Sequence, residues 1–482
     1  MKLKLILSFK ATVICSILFS ALTFSAHAQE VISLQKAVDL ALDRNLTIKQ
    51  SQFTEALDDE SLKQSKYNAL PNLTAGPQAS FNFGRNIDPS TNQFINQRIF
   101  ALNGTIQTQI TLFQGGQLRN TVIQNRLLLD ADKTATAKVK NDLILNVVTT
   151  YLQVLTNQDL VKAAQQQIDI SKITLDRAQK NFDVGNQTLA DLSQAKASVS
   201  TADLNYTNAE NSFEISLLTL KQYMEMSPAN NITVEKPDIS KLTDINTLYN
   251  AEDVLKTAVA VNPDVLLAEQ REKATQQGIK IAQGNYYPSL VLFGQLGSNY
   301  SDARTLSGGA VATGTSETIG YVNGNTSQPV TTPVFTPVFN KYPFFNQLSD
   351  NFNQSVGVSL QIPIFGRFSA RTSVRKAKIQ YENAKVTSQL ARNNLSKIIY
   401  QAVLDVKSAE KSYLSSTQTY LANKEAFNII QQRYTVGLVN SLDYNTSLTN
   451  LNKSQFDMIE AQYMVIFRAK VIDYYLGNPI TL

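Results

Sequence analysis

Over residues 117–227 and again over 367–476, large apolar side chains return at every seventh position. The first outgoing segment reads Val147, Val154, Val161, Ile168, Leu175 and Phe182, and its later counterpart Ile399, Val406, Tyr413, Tyr420, Phe427 and Tyr434. The return segments carry Leu192, Val199, Tyr206, Phe213 and Leu220, then Tyr444, Leu451, Met458, Val465 and Ile472. Three positions after many of these stands a small residue, such as Ala164, Ser171, Ala178, Ala195, Ala202, Ala402, Ala409, Ser447 or Ala461. Large knobs beside small holes at a period of seven predict closely packed helices with a left-handed supercoil. Residues 117–184, 186–227, 367–436 and 438–476 hold neither glycine nor proline, so four long helices are expected there. At about 1.5 Å per residue the first and third would each run on the order of 100 Å. The other faces are rich in Gln, Asn, Thr, Ser and Lys, whereas a solid bundle would want bulk at both core positions. A curved wall of helices, wet on both sides, fits better than the alternative of a coiled-coil adhesin or envelope stalk.

Just before each outgoing helix the period changes from seven to two. Leu102, Gly104, Ile106, Thr108, Ile110 and Leu112 alternate with polar residues, and so do Val356, Val358, Leu360, Ile362 and Ile364. Strands are expected over about 72–83, 102–113, 289–300 and 353–364, each with one oily face and long enough for a tilted membrane crossing. Four strands cannot close a barrel, for which about eight is the minimum, and an open edge in lipid leaves backbone groups unpaired. The chain is therefore expected to oligomerise, three copies giving twelve strands.

The helix and strand patterns occur twice because the chain is duplicated. Phe182-Asp183-Val184-Gly185 with Asp191 recurs as Tyr434-Thr435-Val436-Gly437 with Asp443, at a spacing of 252 that holds from Gln109 to Tyr475. Asn45 pairs with Asn262 and Pro71 with Pro288 at a spacing of 217, so the second half carries 35 more residues between Pro288 and Gln361. That surplus is expected in a Gly/Thr/Pro/Asn-rich loop over 301–352. Residues 29–253 and 254–482 are read as the two repeats, after a signal peptide at 1–28 in which Lys2, Lys4 and Lys10 precede an apolar run ending in Ala26-His27-Ala28.

Removal of that peptide takes away the sole cysteine, Cys15, and the sole histidine, His27; the chain has no tryptophan. Disulfides, Cys/His metal sites and imidazole or thiol catalysis are thereby excluded from the mature chain, and no cofactor or enzyme activity is expected. The formal charge of +5 falls to +2 without the signal's three lysines. Basic residues are scattered among acids, which gives no reason to expect nucleic acid.

Three features together resemble the TolC family of outer-membrane efflux channels. They are Leu34-x-x-Ala37-x-x-x-Ala41-x-x-x-Asn45, its echo Ala258-x-x-x-Asn262-Pro263, and the two Val-Gly turns with an acid six residues on. Leu46 stands where the family often has proline. The resemblance implies a homotrimer with a β-barrel in the outer membrane and an α-barrel in the periplasm, meeting an adaptor protein and an inner-membrane pump. Gly185 and Gly437 mark hairpin turns, and Thr188 and Asn440 are expected as N-caps with Asp191 and Asp443 at the third helical position. The resemblance gives Asp443 a further role, a single acidic ring at the periplasmic aperture, since Thr446 replaces the second acid found in some relatives. Tyr434 and Asp191 are candidates for a latch across neighbouring hairpins, and Val184, Gly185, Val436, Gly437 and Leu438 for the surface that the adaptor grips.

Overall fold

The computed structural model describes residues 30–87, 94–237 and 249–478; the expected signal peptide lies outside this range. By contact the chain divides into two units, one of residues 1–58, 128–272 and 383–482 and the other of 59–127 and 273–382. Each unit draws on both halves of the sequence.

In the second unit, β2 (Asn72–Asn82), β5 (Ile99–Gln114), β7 (Ser289–Ser301) and β10 (Asn353–Gln361) form one antiparallel sheet in the order β10-β7-β5-β2. Register decides the chemistry of its faces. Ala79, Leu102 and Tyr300 stand opposite one another, as do Ala75, Ile106 and Leu296, while Leu292 pairs with both Ile110 and Val358. Because side chains alternate along a strand, these share one apolar face with Leu73, Val356 and Leu360. Thr74, Gln107 and Gln295 are likewise mutually opposite, so the other face carries amides and hydroxyls. Phe293 is an exception on that polar face; its ring covers Gly357, where an added Cβ would stand 2.7 Å from the ring. A register shift at Leu112 ends the strict alternation in β5 and lets Phe113 pair with Leu290. Among the described residues β2 and β10 have no outer neighbour.

The 35-residue surplus is not a loop. It forms a long hairpin of β8 (Thr305–Tyr321) and β9 (Pro329–Lys341), followed by the short helix α7 (Phe344–Asp350). Three register shifts interrupt the hairpin, and Pro329, Pro333 and Pro337 recur every fourth residue. Even spacing puts all three missing N–H groups on the same side of β9, which blunts that edge against further pairing. These breaks and prolines also hide the strand period from a reading of the sequence alone. The first half's counterpart is much shorter, with β3 (Arg85–Ile87) paired to β4 (Phe94–Asn96).

The four glycine- and proline-free runs are helices: α3 (Gln117–Asp183), α4 (Leu189–Tyr223), α8 (Ser369–Thr435) and α9 (Ser441–Leu476). Two further pairs escape the sequence reading: α1 (Leu34–Arg44) with α2 (Leu46–Tyr67), and α5 (Ala251–Val261) with α6 (Pro263–Gln283). The repeated asparagines explain both breaks. Asn45 accepts from the N–H groups of Thr47 (2.9 Å) and Ile48 (3.4 Å), and Asn262 from those of Asp264 (3.0 Å) and Val265 (3.4 Å). Each asparagine ends one helix and caps the next, a task that needs a side-chain acceptor. Proline at the first helical position is helpful after Asn262 but not required, so Leu46 serves after Asn45.

The largest core of the first unit lies beside β1 (Glu30–Ile32) and β6 (Ile232–Val234), which pair in parallel. Val147, Val154 and Leu155 of α3, Leu220 of α4 and Ile466 of α9 close on Ile32 and Ala37. The Tyr151 hydroxyl is buried 3.1 Å from Ile32 O and 2.8 Å from Glu235 O. Asp159 ties in the segment after β6, accepting from Lys236 Nζ at 2.6 Å and the Tyr463 hydroxyl at 2.8 Å. Val254, Ala258, Val265, Ile399, Val406 and Ile472 build a smaller equivalent core.

Candidate functional site

The turns between α3 and α4 and between α8 and α9 close alike. The Asn186 N–H reaches Asn181 O at 2.8 Å and that of Gly185 reaches Phe182 O at 2.9 Å; Leu438 bonds Arg433 O at 2.9 Å and Gly437 bonds Tyr434 O at 3.2 Å. This nested pair of bonds requires a left-handed residue, supplied by Gly185 at φ 75° and Gly437 at φ 78°. Nothing lies within 4 Å of a Cβ added at either glycine, so backbone conformation and not space demands glycine there. Around them Val184, Leu189, Val436, Leu438 and Leu442 are exposed.

The two caps differ in a way that separates the two acids. At α4 the capping box is complete: the Asp191 N–H donates to Thr188 Oγ1 at 3.2 Å, and the Thr188 N–H and hydroxyl donate to Asp191 Oδ2 at 3.1 and 2.7 Å. At α9 only half is made. The Asp443 N–H donates to Asn440 Oδ1 at 2.8 Å, while the Asp443 side chain is exposed and does not return a bond to Asn440. Asp191 is thus spent on structure, and the carboxylate of Asp443 points to no partner among the described residues.

Among the described residues five polar contacts join the two hairpins near these turns, one of them the Ser198 hydroxyl donating to Asn445 Oδ1 at 3.3 Å. The Ser441 hydroxyl donates to Asp191 Oδ1, and Gln187 Nε2 donates to the Tyr434 hydroxyl at 3.1 Å. Arg177 donates to Thr435 Oγ1 at 3.0 Å, and the Thr174 and Tyr444 hydroxyls meet at 3.1 Å. Bonds from Ser441 and Thr188 hold the Asp191 carboxyl below its ordinary range. Tyr434 and Asp191 do not bond each other; each is engaged by a residue of the other hairpin that the sequence reading passed over. Gln187 and Ser441 carried no signal there, being single polar residues beside a turn with no recurring counterpart. Tyr434 is also a core aromatic, buried and stacked on Tyr444 at 4.5 Å within a cluster of Phe427, Leu448 and Leu451. The equivalent cluster of the first hairpin is built from Ala178, Leu192 and Ala195.

The sheet is the other candidate surface. Ten steps of β7 separate Leu290 from Tyr300, on the order of 34 Å along the strand and roughly 25 Å along a membrane normal at a ~40° tilt. That is the height of the apolar band of an outer-membrane barrel. No helix among the described residues is long and apolar enough to cross a membrane.

Comparison with known proteins identifies the family and the fold. A family model described as outer membrane efflux protein matches residues 37–224 and 254–477, one segment in each half. The outer membrane protein TolC of Escherichia coli is 21% identical over 470 residues, covering 95% of this chain and 84% of that protein. The outer membrane efflux protein BepC of Brucella suis is 21% identical over 465 residues, covering 95% and 88%. The crystal structure of the outer membrane protein VceC from Vibrio cholerae matches with a TM-score of 0.68 at 15% identity, covering 93% of this chain and 97% of that one, a likeness of fold. The chain therefore belongs to the outer membrane efflux protein family and resides in the outer membrane of a Gram-negative envelope.

Proposed function

We propose that three copies of this chain close into a duct through which a tripartite system exports its cargo. Family membership makes the protein an outer-membrane efflux channel; the proposal concerns its assembly and its working parts. One observation carries it. The sheet has an apolar face, a polar face and two unpaired edges, β2 and β10. In lipid those edges would leave a row of backbone groups without partners, whereas β10 of one copy against β2 of the next satisfies both. Twelve strands then enclose a bore lined by Thr74, Gln107, Gln295 and Ser355. The two halves, 29–253 and 254–482, act as duplicated repeats that each supply two strands and one long helical hairpin.

At the hairpin turns, the latch works through Ser441 on Asp191 and Gln187 on Tyr434. Asp443, with its carboxylate unspent, is the aperture acid, and three of them in one ring repel each other and draw cations. The exposed Val184, Gly185, Val436, Gly437 and Leu438 form the docking surface for a periplasmic adaptor that also engages an inner-membrane pump. The protein moves its cargo without chemically changing it, so no residue is assigned a catalytic role. Mass-resolved light scattering in detergent tests the assembly, with a trimer expected. A monodisperse folded monomer, or a trimer that conducts no ions across a planar bilayer, would overturn it.

A further inference from the structure

A row of aromatic rings crosses the end of the sheet remote from Gln114. Phe83 stands 6.5 Å from Phe81, Phe81 4.9 Å from Phe100, Phe100 6.3 Å from Tyr300, Tyr300 4.9 Å from Phe344, and Phe344 5.3 Å from Phe345. Phe81, Phe100 and Tyr300 share the apolar face, as their register with Ala79 and Leu102 requires. The row then leaves the sheet and continues on α7, a helix that exists only because the second half carries its insertion.

Helix α7 is fastened at this level by bonds to β7. β10 begins opposite Gly297, so the last residues of β7 lack a strand partner on that side. Gln347, fully buried, takes the place of a strand. Its Oε1 accepts from the Ser301 N–H at 3.0 Å, and its Nε2 lies 3.0 Å from Ser301 O and 3.1 Å from Tyr342 O. Asn351 Nδ2 donates to Asn299 O at 2.7 Å, and the Ser298 hydroxyl, on the apolar face, donates to Leu348 O at 2.7 Å. So rigid an attachment leaves Phe345, 79% exposed, and Phe352, 56% exposed, largely uncovered by the rest of the chain.

We propose that α7 is an interfacial helix seated in lipid, its Phe344 and Phe345 lying at the boundary of headgroups and acyl chains in the outer leaflet. The inference rests on the reading of the apolar face as lipid-facing, and it extends that surface beyond the strands. Bare phenylalanines in water are costly, and aromatic rings collect at the two rims of a barrel's apolar band, where chain and headgroup meet. Cations stand at the same rim: the Arg98 guanidinium lies 5.2 Å from the Phe81 ring and that of Arg304 5.6 Å from the Tyr342 ring. Arginine that lays its stem on apolar surface and holds its charge toward water suits that boundary. The long connections, 83–98 and 302–352, leave from this end of the sheet, which marks it as the outer one. The helix thus fixes the depth of the barrel and shields the end of β7 from lipid.

The chain has no tryptophan, so one introduced ring is the sole indole reporter. Phe345→Trp, Leu296→Trp and Tyr321→Trp are each made in the full-length protein and reconstituted in phosphatidylcholine vesicles brominated either near the headgroup or deep in the acyl chains. Leu296→Trp reports the middle of the sheet, and is expected to be quenched most by deep bromine. Phe345→Trp is expected to emit to the blue and lose most intensity to shallow bromine, while Tyr321→Trp, at the far end of β8, stays red and unquenched. Emission from Phe345→Trp as red as that from Tyr321→Trp puts α7 in water and overturns the proposal. Blue emission that neither lipid quenches means that a neighbouring copy covers the ring, and overturns it too. Should Leu296→Trp itself escape quenching, the lipid-facing reading of the sheet fails first.

Discussion

The Ser441 hydroxyl donates to Asp191 Oδ1, tying the start of the last long helix to the cap of α4 across two hairpins 250 residues apart in sequence. The same carboxylate closes the Thr188 capping box, so one side chain both begins a helix and joins it to its neighbour. Ser441→Ala removes the link and leaves the box. A loss on the order of 1 kcal/mol at the turn is expected, and with it a larger or more frequent open conductance in planar bilayers. Gln187→Ala, which frees the Tyr434 hydroxyl, should act in the same direction. Unchanged conductance in both would remove the latch.

Acid should act on the latch through Asp191. Its carboxyl titrates below the ordinary value of 3.8 because the folded turn bonds the charged form. A group with a depressed folded value gives stability that is present above its unfolded value and lost as pH falls through the folded one. Conductance is therefore expected to rise only as the bath is taken below about pH 4. In Asp191→Asn that acid-induced rise should vanish, and a titration of channel opening in the two proteins decides it.

Asp443→Asn separates an aperture acid from a helix cap. The Asp443 carboxylate does not return a bond to Asn440, so its neutralisation should leave trimer stability nearly unchanged while weakening cation preference and block by multivalent cations. Asp191→Asn is the control, since its carboxylate is already engaged. Reversal potentials measured on wild type and both variants settle the matter: equal selectivity in all three leaves Asp443 with the cap alone.

Gly357→Val tests the sheet. The Phe293 ring lies over Gly357 on the polar face, and an added Cβ would meet it at 2.7 Å. The ring must leave its rotamer or β10 must shift, at a cost on the order of 1–3 kcal/mol. A trimer that dissociates at lower temperature on semi-native gels is expected, and Phe293→Ala in the same chain should recover most of the loss.

Asn262→Ala should cost about 1 kcal/mol, because the N–H groups of Asp264 and Val265 lose their shared acceptor. Asn262→Asp, which keeps an oxygen there, should cost much less. Chemical denaturation of the detergent-solubilised protein compares the two.

Much of this architecture is local in origin and hence legible along the chain. A period of seven without glycine or proline can only be satisfied by long helices, and a period of two beside it by strands. A helix reversal needs left-handed backbone, so Gly185 and Gly437 stand out against residues that disfavour it. Duplication made each weak signal count twice, which is how Asp191 and Asp443 came to notice as equivalents. What the tertiary structure decided begins with what duplication does not repeat. Asp191 meets Ser441, but the residue at the corresponding place in the first half is Leu189, so two acids at equivalent positions of the repeat differ in what they have left to offer. The α1–α2 and α5–α6 breaks at Asn45 and Asn262 also emerged only in space, because a cap is defined by the N–H groups it faces. The β8–β9 hairpin was hidden for a different reason: prolines and register shifts that guard an edge also erase the alternation by which a strand is recognised. Periodicity encodes which faces must be covered, and only the folded register determines what covers them.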